Sequence, residues 1–380
     1  MHIISRSLLK LSVIAFCFLM YSSIFAIKSF PAPNVEYVSG LFIHTVFSFF
    51  FVTGIFLKQT NEKIVQRRTP VYVCDLGILV LLSTIFSMGG LYAAFNSSPA
   101  LVDINEYFSN LIGGDNNSRS AFELASEDGG APGVFKLLAF SINGAYAGVV
   151  MLIHQKIIRT DIQVSLLLFG LLVALLIKTA IFLDRATLLL VFIGIILVLA
   201  QQRFFRLFAP IIVVLGFGLF NLLSYLRLAG FGILDFIGLY SLLGVANFSI
   251  AITKLDCIDF GVNTIFSAPA LLLFKTVGWE LMSTCVGDNW IYNPAQYFFS
   301  HVFLDFRYLS PVFLIGFGAM LSKVEKNVNS NGMYSNAIYM HLIVAVLMMV
   351  GVTTLRGLEF YFSIVVTYLI IKVSVRRISK

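Results

Sequence analysis

The sequence predicts an all-α polytopic membrane protein of about ten transmembrane helices, with a large outer loop between the seventh and the eighth. Of its 380 residues 59% are hydrophobic and only 12% charged, where a soluble chain carries roughly 25% charge. Apolar runs of about 20 residues, each long enough to cross a hydrocarbon core of about 30 Å, recur along almost the whole chain. The net charge of +7 comes from cations set in twos to fours beside these runs, as membrane topology places them. Nucleic acid is therefore not expected as a partner. The whole chain, 1–380, reads as a single membrane-embedded helical domain.

Backbone groups in lipid must be satisfied within their own segment, so each long apolar run reads as a helix. In chain order the runs are 8–27, 38–57, 71–93, 133–154, 163–182, 186–201, 207–226, 308–322, 335–354 and 357–374. Residues 1–26 also fit a signal peptide, since Arg6 and Lys10 precede an apolar stretch. The stretch is long, however, and no small-x-small cleavage site follows it, which favours a first membrane helix. No internal repeat or low-complexity segment is visible.

Orientation follows from Lys and Arg, which stay on the cytoplasmic side of short loops. An inside N-terminus places Arg6, Lys10, Lys58, Lys63, Arg67, Arg68, Lys156, Arg159, Arg203, Arg206, Lys323, Lys326, Lys372, Arg376, Arg377 and Lys380 there, sixteen of the 26 cations. The outer loop 95–131 has the opposite bias, with Asp103, Glu106, Asp115, Glu123, Glu127 and Asp128 against Arg119. Both ends are thus expected in the cytoplasm. The outer loop 227–307 is too long for a connection, and its apolar stretches 231–252 and 264–283 read as interfacial or re-entrant helices, with two further crossings as the alternative. Cys17 and Cys74 fall in membrane segments, where a thiol packs as a small hydrophobe. Cys257 and Cys285 share the outer segment, where a disulfide and two buried thiols are equal alternatives.

Cations on the outer side run against the positive-inside rule and ask for a reason. Arg185 stands in the short Asp184-Arg185 turn, Arg227 after the seventh helix and Arg307 before the eighth, and Lys178 lies two turns deeper than Arg185. Such a cluster suits an anionic phosphate headgroup, because guanidinium forks pair with phosphate oxygens. The alternative is local: Arg185 pairing with Asp184, Arg307 with Asp305, and Arg227 or Lys178 reaching the interface. Candidate outer bases are His301, Asp305, Asp259, Asp256, Asp288, Glu280 and Glu36. His301 and Asp305 are four apart and would share a helical face beside Arg307. His44, His154 and His341 read as packed bundle residues. Trp290 and Trp279, with Tyr297, Tyr292, Tyr240 and Asn293, offer rings and amides suited to sugar faces, although Trp and Tyr also mark interfaces without a ligand.

The sequence has no phosphate-cradling glycine loop followed by Lys, no GxSxG, no HExxH and no zinc-spaced Cys or His set. ATP-driven work and zinc hydrolysis are not expected, and neither a metal nor a cofactor is called for. The Asp256-Cys-Ile-Asp259 segment lacks the close acid spacing of a metal-nucleotide sugar site, which favours a lipid-linked donor.

Residues 292–321 carry a resemblance. Asn293, Tyr297, Asp305, Phe306, Gly316 and Gly318 fit the pattern of Asn, an aromatic residue, Asp-Phe-Gly and a Gly-containing helix, with Arg307 at the usual Gly position. Arg227 with Gly238 and Arg307 with Gly318 repeat an Arg-to-Gly spacing, and Arg185 precedes an apolar helix. In these features and in its architecture the chain resembles the bacterial O-antigen or oligosaccharide repeat-unit polymerases. The resemblance implies a metal-independent glycosyltransferase in the inner membrane. It would join undecaprenyl-diphosphate-linked units at the periplasmic face into surface polysaccharide, as in lipopolysaccharide biosynthesis. Arg185, Arg227, Arg307 and Lys178 would hold the diphosphate, Asp305 or His301 would take the acceptor proton, and Asn293, Tyr297 and Trp290 would contact sugar. Partners would be the lipid-linked donor and acceptor, membrane lipid and a chain-length regulator protein. An O-antigen ligase and a lipid-linked oligosaccharide flippase or other transporter are the rival readings.

Overall fold

The computed structural model describes residues 7–23, 37–57, 71–97, 137–182, 185–199, 298–329, 333–349 and 358–378, with scattered positions in 211–221 and 241–252. The described chain is almost entirely helical, and five of its helical stretches are long and apolar enough to cross a membrane. In order the helices are α1 (Leu8–Leu19), α2 (Tyr37–Phe56), α3 (Leu76–Ser97), α4 (Ser141–His154), α5 (Ile162–Phe182), α6 (Arg185–Leu199), α7 (Phe298–Phe306), α8 (Ser310–Asn329), α9 (Met333–Met348) and α10 (Leu358–Ser374). The positions described in 211–221 and 241–252 are helical as well.

Large apolar side chains face outward in stripes. On α3 these are Leu81, Ile85, Met88 and Tyr92, and on α5 Ile162, Leu166, Phe169 and Val173. Steps of three and four residues keep each stripe on one helix face. In water such surfaces would be an association hazard, whereas lipid is their natural solvent. Several apolar helices of this kind mark a membrane protein.

The interior is held by close backbone approach. A Cβ on Gly318 of α8 would stand 2.6 Å from the Phe51 carbonyl oxygen of α2. Gly54 of α2 lies equally tight against Ile315 of α8. Similarly, Gly144 and Gly148 let α4 lie against Ser363, Val366 and Ile370 of α10. Small residues at crossings are the usual device where lipid offers no hydrophobic drive for association.

Connections assign the helix ends to two sides. Gln155, just after α4, donates through Nε2 to the Val328 carbonyl at 3.0 Å and to Asn336 Oδ1 at 3.2 Å. Glu325 Oε1 accepts from the backbone N–H of Leu9 at 2.9 Å, so a carboxylate of α8 satisfies the first turn of α1. Val71–Cys74 (β1) pairs antiparallel with Val375–Ile378 (β2), joining the start of α3 to the end of α10. Lys10, Lys156, Arg159, Lys323, Lys326, Lys372 and Arg376 therefore gather at one end of the bundle. Lys156, at φ 57, closes α4 with bonds from its own N–H to Ile153 and from Ile157 N–H to Leu152, the Schellman arrangement.

Three sequence expectations need correction. Residues 71–74 are strand rather than the start of a helix, so the fold is not purely helical and Cys74 lies on β1. Asp75 Oδ1 then accepts from Ile78 N–H at 3.2 Å and starts α3. The helix expected at 308–322 runs from Ser310 to Asn329. Finally, the end of the expected outer loop is itself helix α7, while Phe248, in the stretch 231–252 that was expected to be helical, packs on Phe47 and Phe303. The stretch 264–283 and the loop 95–131 beyond Ser97 lie outside the described residues, as do Cys257 and Cys285.

Helices α7 and α8 form a hairpin. The Phe298 ring lies 5.5 Å from Phe317, and Phe306 stacks on Phe313 at 4.4 Å. An unbroken helix would hold Phe298 and Phe317 about 28 Å apart along its axis. The reversal falls at the 3-10 turn Arg307–Leu309, where Arg307 has φ 46. Ser310 Oγ donates to the carbonyls of Val302 and Arg307 and closes the turn.

Candidate functional site

The first group of candidate residues lies where α4, α5 and α6 meet, at the end of the bundle away from the gathered cations. Lys178 is completely buried on α5 and Arg185 is 3% exposed at the first position of α6. The Lys178 ammonium donates to Asn143 Oδ1 at 3.0 Å and Thr187 Oγ1 at 2.7 Å, and stands 3.6 Å from the centre of the Phe140 ring. These three groups are neutral. Asn143 and Thr187 also bond to each other, Nδ2 to Oγ1 at 3.2 Å.

The electrostatics are unusual. Thr187 belongs to the first turn of α6, where the helix dipole already presents partial positive charge and an anion is the favoured neighbour. Arg185 and the Lys178 ammonium add two cations to that same place. Burying charge is costly, and cations beside a helix N-terminus are a place where an anion is favoured. Sequence reasoning placed Lys178 and Arg185 but missed Asn143, Thr187 and Phe140. The available signal was Asn143, the one side-chain amide in the run 133–154.

The second group lies on the α7–α8 hairpin. His301 and Asp305 sit one turn apart on α7 and are 0% and 2% exposed. They were expected on an outer loop, but α7 carries them into the interior among aromatic rings: Phe298 and Phe299 meet Phe16 and Phe51. Arg307 is partly exposed at the hairpin tip, its guanidinium carbon 4.9 Å from the Phe303 ring. Its left-handed backbone is one that glycine adopts freely and other residues adopt at a cost. Gly318 has a packing role against α2, whereas Gly316 faces open space. Arg227, Trp290, Asn293 and Tyr297 lie outside the described residues.

Two of the remaining histidines are interior hydrogen-bonded groups. His44 Nε2 lies 3.2 Å from the Cys17 carbonyl and from Ser48 Oγ. His341 Nε2 lies 2.9 Å from Thr367 Oγ1, which donates to the Gly144 carbonyl at 3.1 Å. Among the described residues no three His, Cys, Asp or Glu side chains converge as a metal site. Comparison with protein-family models, with curated proteins and with solved structures finds no match for this chain in any of the three.

Proposed function

We propose that the protein is a metal-independent glycosyltransferase that polymerises undecaprenyl-diphosphate-linked oligosaccharide units at the periplasmic face of a bacterial inner membrane. The observation that carries the reading is the buried cationic locus: Lys178 at 2.7 Å from the first turn of α6, with Arg185 at that helix's first position. On this reading the cation-rich end is cytoplasmic by the positive-inside rule, both termini lie there, and the locus is periplasmic. The chain crosses about ten times.

In the reaction, an acceptor hydroxyl of a new unit attacks the anomeric carbon of the growing chain. The bond from that carbon to the diphosphate oxygen breaks, and the electron pair leaves with the undecaprenyl diphosphate. Lys178 and Arg185, with Arg307 and Arg227, stabilise that departing charge without a metal ion. Asp305 or His301 receives the acceptor proton. The φ of 46 at Arg307 supports the reading independently, since the resembled family carries Gly at that position.

A carrier is the second reading, favoured by the burial of Lys178 and His341 inside the bundle, because intramembrane ionisable groups also mark transport paths. Deleting the gene separates the readings. A polymerase mutant displays surface glycan of one repeat unit. A ligase mutant displays none while lipid-linked polymer accumulates, and a flippase mutant stalls precursors inside. Full-length surface chains in the deletion strain would remove the polymerase reading.

A further inference from the structure

At the cation-rich end, the start of α9 meets the end of α10 through Tyr334, Tyr368 and Lys372. The two tyrosine rings stack at 4.9 Å with 14° between their planes. Tyr368 Oη donates to Tyr334 Oη at 3.2 Å, and the Lys372 ammonium stands 5.4 Å from the centre of the Tyr368 ring. Tyr334 is 72% exposed, yet its ring is held in the stack, so phenol and ammonium stand side by side at the surface. Tyr334 Oη accepts from Tyr368, and a phenol has one hydrogen of its own to give. Among the described residues that hydrogen has no acceptor, and no carboxylate pairs with Lys372.

We propose that this cluster binds the phosphate of an anionic glycerophospholipid from the leaflet at the cation-rich end, with Lys372 and the Tyr334 hydroxyl donating to its oxygens. The inference goes beyond the activity proposed above and needs only that the bundle lies in a membrane. Charge selects the class. An ammonium with no carboxylate partner gains a charge-assisted bond from an anion, whereas a zwitterionic headgroup brings a second cation toward it. A lipid, rather than a soluble anion, follows from α10 itself. Val365, Leu369 and Val373 are exposed, and their steps of four form one apolar stripe that runs along the helix to the level of Lys372. An acyl chain lies on that stripe when its phosphate sits at the cluster, and a soluble anion would make no use of it. Tyrosines also mark membrane interfaces singly, but here two helices contribute to one hydrogen-bonded group beside a cation.

Native mass spectrometry of the full-length protein with palmitoyl-oleoyl phosphatidylglycerol tests this. Lys372→Ala should weaken binding of the first lipid about tenfold, and Tyr334→Phe, which keeps the stacked ring, about threefold. Lys323→Ala removes an exposed cation of α8 at the same end and should change binding less than about twofold. Equal losses in Lys323→Ala and Lys372→Ala would reduce the effect to net charge and overturn the site, as would wild-type binding by Tyr334→Phe. Phosphatidylethanolamine with the same chains should bind the wild type about fivefold more weakly. Equal affinity overturns the proposal and leaves the cluster to an acidic protein partner. Inorganic phosphate at the same concentration should not displace the lipid, and displacement would overturn the lipid as occupant. On the wild type, phosphatidylglycerol with a photoreactive acyl chain should label the peptide 365–373, and labelling confined elsewhere refutes the site whatever the variants do.

Discussion

Arg307 gives two substitutions whose effects separate backbone geometry from charge. Its φ of 46 places a non-glycine residue in the left-handed region, which costs roughly 1 to 2 kcal/mol. Arg307→Gly removes that strain but adds a glycine entropy cost of about 0.5 to 1 kcal/mol. Arg307→Ala keeps the strain. Both lose the contact with the Phe303 ring, worth about 0.5 to 1 kcal/mol at an exposed site. The glycine variant should therefore be more stable than the alanine variant, by up to about 1.5 kcal/mol, read as midpoints of thermal unfolding in a single detergent. If the guanidinium holds the leaving diphosphate, both variants also lose one charge-assisted bond of about 1.5 to 3 kcal/mol. That corresponds to a fall of about 10- to 150-fold in polymerisation rate, seen as a collapsed glycan ladder at normal protein abundance. A glycine variant less stable than the alanine variant would refute the backbone argument. A full ladder in both would take the diphosphate role away from Arg307.

Three further outcomes are expected. Lys178→Met should leave the fold within about 2 kcal/mol of wild type, because Asn143 and Thr187, which lose its bonds, still bond to each other. It should nevertheless abolish the ladder, and an unchanged ladder would exclude Lys178 from the site. Gly318→Leu drives a side chain into the α2 backbone and should destabilise by at least about 3 kcal/mol in thermal unfolding, while Gly316→Leu, facing open space, should not. Burial, and then the neighbouring Asp75 carboxylate, push the Cys74 thiol up to about 11. Thiolate is the reactive form, so with the other three cysteines replaced by serine, maleimide labelling should be slow at pH 8 and rise about tenfold per pH unit to pH 10. Asp75→Asn lowers that pKa and should speed labelling, and a rate flat across this range would contradict the assignment.

Much of the framework was legible because length and hydropathy decide helix against loop in an apolar chain. The run 163–182 and the helix Ile162–Phe182 differ by one residue, and Asp161, whose Oδ1 caps Val164 N–H at 2.9 Å, was a readable start signal. The strand Val71–Cys74 was not legible: Val-Tyr-Val-Cys is parted from the apolar run of α3 by Asp75 alone, and its partner lies some 300 residues later. The hairpin was hidden for a different reason. Phe298–Phe306 is only nine residues long, below the length that marks a span, and its reversal uses Arg rather than Gly. Ser310-Pro311 was the available clue, since Ser followed by Pro is a common helix start. Within the candidate site the cations stood out by sidedness alone. Asn143 and Thr187 did not, because single polar residues in separate apolar runs carry no signal of meeting each other.

The Glu325 cap on α1 bears on how the chain is assembled. Helix α1 is made well before the carboxylate that caps it, which lies 316 residues further along, so its leading amides must be served by water or lipid headgroups until α8 has been made. Closing so long a loop is costly in entropy, although the increment grows only slowly with length. The contact forms cheaply only if the intervening spans have already drawn the two segments together. Insertion order and final packing are thus distinct events in this protein, and a neutral substitute at position 325 should slow maturation more than it disturbs the finished bundle.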